Sequence, residues 1–286
     1  MLKFLKNWTL PLAMFAGAIG YFLLANVTIL EPAKPFVNWL IAVLTPFLIF
    51  AQLLLTFCKI EPKELLPKAW HVWLLSIQAV SSGIIALLLI FCPMEEAYRD
   101  IFEGAMVCLI CPTATAAAVI TGKLGGSAST LTTYTLLSNV LAAIAVPLVF
   151  PLVEPHADIT FVVAFLKILS KVFPLLLAPF FIALLFRYYI PSVHRLLSKY
   201  HGVAFYLWAV ALTIVTGQTV RSLVTAAADV SIEIMIALAG LATCCLQFYF
   251  GKRIGSAYHD RISAGQALGQ KNTVLAIWMA VTYLNP

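Results

Sequence analysis

Charge is what this sequence has least of. Asp, Glu, Lys and Arg together make up 10% of its 286 residues, whereas 62% are hydrophobic. A soluble domain carries about a quarter charged residues, so a water-facing surface cannot be assembled from this set, and the mean hydropathy of +0.99 agrees. Intramembrane enzyme signatures are missing too: the apolar stretches hold no HExxH, no paired aspartates and no Ser–His pair. No two pairs of cysteines stand at metal-ligand spacing. Cys58, Cys92, Cys108, Cys111, Cys244 and Cys245 all lie in or at the ends of apolar runs and read as small apolar residues. His71, His156, His194, His201 and His259 fall in or beside loops without metal spacing, and the His259–Asp260 dyad has no nucleophile beside it. The net charge of +6 and pI near 9.0 do not indicate nucleic acid, because no basic patch is interleaved with aromatics and the positive residues separate apolar runs. What remains is a polytopic membrane protein whose surroundings are lipid.

A helix crossing about 30 Å of hydrocarbon needs about 20 apolar residues. The hydropathy pattern predicts nine spans, near residues 8–29, 36–58, 70–92, 100–122, 128–152, 160–189, 203–222, 230–250 and 262–285. The runs are too long for barrel strands and lack their alternation, so the fold class is all-α. The basic N-terminus, MLKFLKNW, has no small-residue cleavage site after it and reads as the start of an uncleaved first span. With that end cytoplasmic, Lys3, Lys6, Lys59, Lys63, Lys68, Lys123, Arg187, Arg195, Lys199, Lys252, Arg253 and Arg261 all fall inside. Only Lys34, Arg99 and Arg221 fall outside, where the loops PMEEAYRD and VEPHAD are acidic. This asymmetry predicts an inner-membrane protein with a cytoplasmic N-terminus. Glu103 and Glu233 open the fourth and eighth spans and are expected at solvated outer ends, and Gln218 and Thr219 in VTGQTV (215–220) either face a substrate crevice or are solvated at the outer end of the seventh. Lys167 and Lys171, one turn apart in the outer part of the sixth span, are placed to snorkel to the outer headgroups. Lys271 lies ten residues past Arg261, roughly 15 Å deeper at helical rise, beyond easy reach of either surface.

Two spans are interrupted. The fourth contains CLICPTATAAAVITGKLGG (108–126), where Pro112 removes a backbone donor and clashes with the preceding turn; the small polar run of Thr113, Ala114 and Thr115 follows. The ninth contains GQALGQKNT (265–273), with Gln266, Gly269, Gln270, Lys271 and Asn272 in sequence. Backbone freed at membrane depth is tolerated only where protein or a watery cavity satisfies it. Paired broken helices in corresponding positions of two halves point to a transporter site built on inverted repeats, here residues 1–157 and 158–286. A Pro kink with a small-residue packing face is the purely structural alternative.

Four stretches resemble the bile acid:sodium symporter family of organic-anion carriers. TPFLIFAQLLLTF (45–57) is similar to its second-helix signature, and LLSIQAVSSG (74–83) places Gln78 on its third-helix glutamine. CPTATAAAV (111–119) resembles its broken fourth helix, and ALGQKN (267–272) resembles the Glu-x-Gly-x-Gln-Asn stretch of its broken ninth. The resemblance implies a panel of peripheral helices and a core in which two discontinuous helices, spans 4 and 9, cross. A small organic anion would bind between panel and core, with membrane lipid around the outside. It also implies a tenth helix, which the nine spans here lack. The family's cation ligands are largely replaced: its Ser-Asn falls on Ala117 and Ala118, its Glu on Ala267, its Gln on Lys271 and one hydroxyl on Leu131. Gln78, Thr135, Asn272 and the Gly269–Gln270 backbone remain. Sodium, as a hard cation, calls for about six oxygen donors, so a standard two-sodium mechanism is not expected.

Where relatives keep a carboxylate and a metal cation, this chain has an amine. A charge at such depth costs at least about 2.5–3.5 kcal/mol on insertion scales, which makes Lys271 a functional candidate by default. Carbonyls of a broken helix are suitable acceptors for it, so Lys271 can occupy the electrostatic place of a sodium ion; the alternative is that it reaches a cytoplasmic crevice and only attracts counterions. An amine that exchanges its proton would link transport to pH, and a permanent charge would suit uniport or exchange. The expected function is secondary transport of a small organic anion. A non-transporting sensor or scaffold on the same fold is the competing class.

Overall fold

The computed structural model describes residues 8–59, 61–155, 159–200, 203–225 and 230–284; His156, His201 and the basic Lys3 and Lys6 lie outside them. Among the described residues the regular structure is helical, with no strand beyond one isolated bridge. Seven helices are long and apolar enough to cross a membrane: α1 (Thr9–Asn26), α2 (Lys34–Lys59), α3 (Ala69–Phe91), α6 (Ala128–Val153), α7 (Phe161–Tyr189), α9 (Val203–Thr225) and α10 (Val230–Ala257). The other two predicted spans are each split: α4 (Glu96–Ile110) and α5 (Ala117–Lys123) in one, α11 (Arg261–Gly269) and α12 (Thr273–Tyr283) in the other. A short amphipathic helix, α8 (Pro191–Lys199), fills what reads in sequence as a loop. Pro191 starts it at a position where the missing N–H is no loss.

Local chemistry sets several boundaries. Ser127 caps α6 by accepting the Thr130 N–H. Cys111 is extended (φ −60°, ψ 138°), the conformation that a following proline imposes on its neighbour, and α4 therefore stops at Ile110. In α12 the Asn272 side chain accepts the Leu275 N–H and supplies the cap.

The helices pack in two layers. α1, α9, α2 and α7 form a row, each touching the next. The contact between α1 and α9 is close because Gly17 lies against Thr213, Thr216 and Gly217, where a Cβ has no room. Behind the row, α7 packs on α6, α6 on α3, α3 on α4, and α4 on α10, which pairs with α11. α12 sits between the layers, touching α2, α9 and α4. The main apolar core gathers Ile49 and Leu53 of α2, Met106 and Ile110 of α4, Phe150 of α6, Val172 and Leu176 of α7, and Leu275 and Met279 of α12. α1 and α10 bury little and present apolar sides outward, as helices bordering lipid do.

Glu103 departs from the expectation of a solvated end. Its side chain is 13% exposed and pairs with Arg99 at 3.0 Å. Arg99 also bonds Glu154 at 2.7 Å and the Leu89 and Val153 carbonyls. One guanidinium thus ties the ends of α3, α4 and α6 together. The acidic charge is drawn into a partly buried knot because the backbone carbonyls at two helix ends also need a donor. His71 likewise proves buried, in the first turn of α3, with Nδ1 accepting the Lys68 N–H at 3.0 Å.

Candidate functional site: the crossing of two broken helices

The two interruptions meet. Residues 111–116 and 270–272 run past each other as a short antiparallel bridge between Thr113 and Lys271. The Ala114 N–H donates to the Gln270 carbonyl and the Asn272 N–H to the Pro112 carbonyl, both at 2.9 Å. Each break thereby satisfies backbone groups freed by the other, which is the condition for irregular backbone at membrane depth.

Side chains complete the accounting. Thr113 Oγ1 donates to the Ala267 carbonyl at 2.7 Å, and the Thr113 N–H donates to Ser138 Oγ at 3.2 Å. The Cys111 thiol donates to the Asn272 carbonyl. Gln78, buried in α3, donates Nε2 to the carbonyls of Ile110 (2.9 Å) and Cys111 (3.2 Å), and its Oε1 accepts from Tyr134. Lys271, partly buried, directs Nζ to the Leu109 carbonyl at 3.3 Å. The last carbonyls of α4, which have no partners within the helix, thus receive an ammonium and an amide, and they form the negative end of the helix dipole. Lys271 has no acidic partner among the described residues, and no group of three or more His, Cys, Asp or Glu gathers there.

Of the residues singled out in sequence, Pro112, Thr113, Gln78, Gln270, Lys271 and Asn272 come together at this crossing. Gly269 ends α11 with an ordinary negative φ. Its lack of a side chain serves packing, since a Cβ would enter the Phe248 ring of α10. Thr115 turns the other way and donates to Gln52 Oε1 of α2 at 3.2 Å. Thr135 is bonded back to the Leu131 carbonyl one turn earlier in α6. Gln266, partly buried in α11, takes part through its carbonyl, which accepts the Gln270 N–H. Sequence reasoning missed Ser138 and Gln52. Ser138 lies one turn beyond Thr135 on a helix rich in hydroxyls, which hides it. Gln52 is an amide isolated in the apolar run of α2, and that isolation was the available signal. Two amide atoms near the crossing, Gln52 Nε2 and Gln270 Oε1, are buried without a hydrogen-bond partner among the described residues.

A second feature lies along the same face of α2. A crevice of about 500 Å³ is lined by Ile41, Ala42, Thr45 and Pro46 of α2, Lys171 and Leu175 of α7, Gln218 of α9, and Trp278, Val281 and Thr282 of α12. It lies among α2, α7, α9 and α12.

No curated protein matches the chain. The model of the sodium bile acid symporter family matches residues 1–226, ending ahead of α10, α11 and α12. With most of its length matched, this multi-pass membrane chain belongs to the sodium bile acid symporter family, a family of transporters and not of enzymes.

Proposed function

We propose that this protein is a secondary transporter of a small organic anion, and that the Lys271 ammonium replaces a bound sodium ion at the helix crossing. The observation that carries the reading is the seat of Lys271 Nζ on the Leu109 carbonyl at the C-terminal end of α4, inside the antiparallel pairing of the two breaks. A cation belongs there by electrostatics, and the chain supplies one covalently. The oxygen donors left for a metal are few. Gln78 Oε1 already accepts from Tyr134, and Asn272 Oδ1 caps α12. Ala117, Ala118 and Ala267 offer no side-chain oxygen.

In this reading the row α1, α9, α2, α7 is the panel and the remaining helices form the core. The panel and core carry nine membrane crossings in two inverted repeats, residues 1–157 and 158–286, with residues 112 and 270–272 as corresponding breaks. Substrate passes between panel and core as they rock against each other. The Thr115–Gln52 hydrogen bond, which joins the broken helix to α2, is remade in each cycle.

Uptake into proteoliposomes, measured over a panel of radiolabelled organic anions with and without a sodium gradient and across pH, is the test. Uptake is expected with little response to sodium. Lys271→Gln is expected to reduce it at least tenfold or to make it sodium- or pH-dependent in a new way. If Lys271→Gln leaves both rate and ion dependence unchanged, the amine is not a sodium substitute.

A further inference from the structure

The crevice beside α2 is lined mainly by apolar side chains and carries two polar groups, the exposed Lys171 and the half-buried Gln218. Lys171 forms no ion pair and Gln218 no side-chain hydrogen bond among the described residues. No acidic side chain lines the space. Leu175 is the central residue of α7 and Lys171 lies one turn from it. With about 15 Å of hydrocarbon on each side of the midplane, the Lys171 Cα sits roughly 9 Å below the membrane boundary. A lysine snorkelling to headgroups has no need of a cavity wall, yet this one faces a crevice that Gln218 enters from a third helix. Its volume falls within the range of small-molecule sites, which combine apolar walls with a few polar groups.

The crevice also leads toward the crossing. Thr45 and Gln52 are seven residues apart, two turns along one face of α2, and Gln52 meets Thr115 at the break. Trp278 stands on α12, the half-helix that begins just after Lys271. From these placements we infer that Lys171 is the anion anchor of the substrate site: the crevice takes a monocarboxylate with a compact apolar body, its carboxylate on Lys171 and Gln218 and its body against Trp278, Pro46 and Leu175. One lysine in an otherwise uncharged pocket favours a single negative charge over a dianion, because a second carboxylate would be desolvated without a partner. This inference rests on the transport reading for its purpose, but the site itself is testable without transport.

The probe is 4-bromophenylacetate, whose bromine quenches nearby indole fluorescence, applied to the purified full-length chain in detergent. Saturable quenching is expected, lost in Trp278→Phe and weakened at least tenfold in Lys171→Gln, with Lys171→Arg close to the parent. The neutral 4-bromophenylacetamide is expected to bind at least tenfold more weakly. A thermal melt of each variant separates lost binding from lost folding. Amide binding as tight as the acid, or quenching unchanged in a folded Lys171→Gln, overturns the assignment. In proteoliposomes, a KM for the taken-up anion that rises at least tenfold in Lys171→Gln supports the site, and an unchanged KM overturns it. Intact quenching with no uptake of any anion supports the site while removing the transport reading.

Discussion

Asp260, in the turn before α11, makes a long-range ion pair with Lys68 whose effect on stability can be measured. Its Oδ2 accepts from Lys68 at 2.9 Å and from Thr130 Oγ1 at 3.5 Å, and its side chain is 11% exposed. Burial works against its charge, but hydrogen bonds from Ser263 and Lys68, together with the Lys68 ammonium, outweigh burial and hold the carboxyl below its ordinary value. A carboxyl depressed in the folded state stabilises it above the unfolded value, and that contribution is lost as pH falls through the folded one. The melting temperature in detergent is therefore expected to hold at neutral pH and drop through and below the usual aspartate range. Asp260→Asn should lower stability at pH 7 by about 1 kcal/mol, since Lys68 is nearly half exposed and screened, and should flatten the acid limb. An acid limb identical to the parent's would show that the pair contributes nothing. Sequence alone marks His259–Asp260 as a loop dyad, because Lys68 lies 192 residues away and only the folded chain brings it near. Lys271 is different: a charge inside an apolar run advertises itself. Gln52, an uncharged amide in an apolar run, is a fainter sign, and Ser138 is lost among the hydroxyls of α6.

At the scale of the helix, Pro112 and the polar run after Gly269 were legible as breaks because each violates a rule that an intact span must obey. What sequence could not give was the partner of each break. The antiparallel bridge exists because freed N–H and C=O groups in a dry setting must pair, and the nearest unpaired set belongs to a segment more than 150 residues away in the chain. Nor did sequence reveal the reason for Gly269. Sequence marks it only as part of the interruption, whereas the structure shows α11 pressed against the Phe248 ring. Gly269→Ala should destabilise the protein by about 1–3 kcal/mol, the usual range for forced overpacking, and should lower uptake by displacing the bridge. Phe248→Leu in that background should recover much of both losses, because the aromatic ring is what the new methyl meets. Without such recovery, the need for glycine would lie in the backbone of the break and not in the α10–α11 contact. The short helix α8 escaped notice for the opposite reason: it is too polar to register as a span and too brief to stand out by periodicity.

For the molecule as a whole, the seven unbroken membrane-length helices emerge at nearly the predicted boundaries because hydrocarbon leaves the backbone few choices. Their arrangement as a row and a second layer is not written in any single stretch. It depends on which faces match, as at Gly17 against α9, and such complementarity spans distant segments. Orientation is a separate matter, fixed by where the lysines and arginines cannot easily cross. One accessible marker on a single loop reports on it. Cys92 serves. It follows the last turn of α3, is exposed, and shares with Glu95 the short connection to α4 that the charge asymmetry assigns to the outside. Cys244 and Cys245 are exposed too, but in the middle of α10, where they border lipid and a charged reagent does not partition. Cys58 and Cys111 are buried, and Cys108 is half-buried in the last turn of α4, within the membrane-spanning region. A membrane-impermeant maleimide added to right-side-out vesicles is accordingly expected to label the protein at one position, and Cys92→Ser to abolish that labelling. Inside-out vesicles should remain unlabelled until detergent is added. The reverse pattern, with Cys92 reached only from inverted vesicles, would put the twelve lysines and arginines assigned to the cytoplasm on the outer side and overturn the expected orientation.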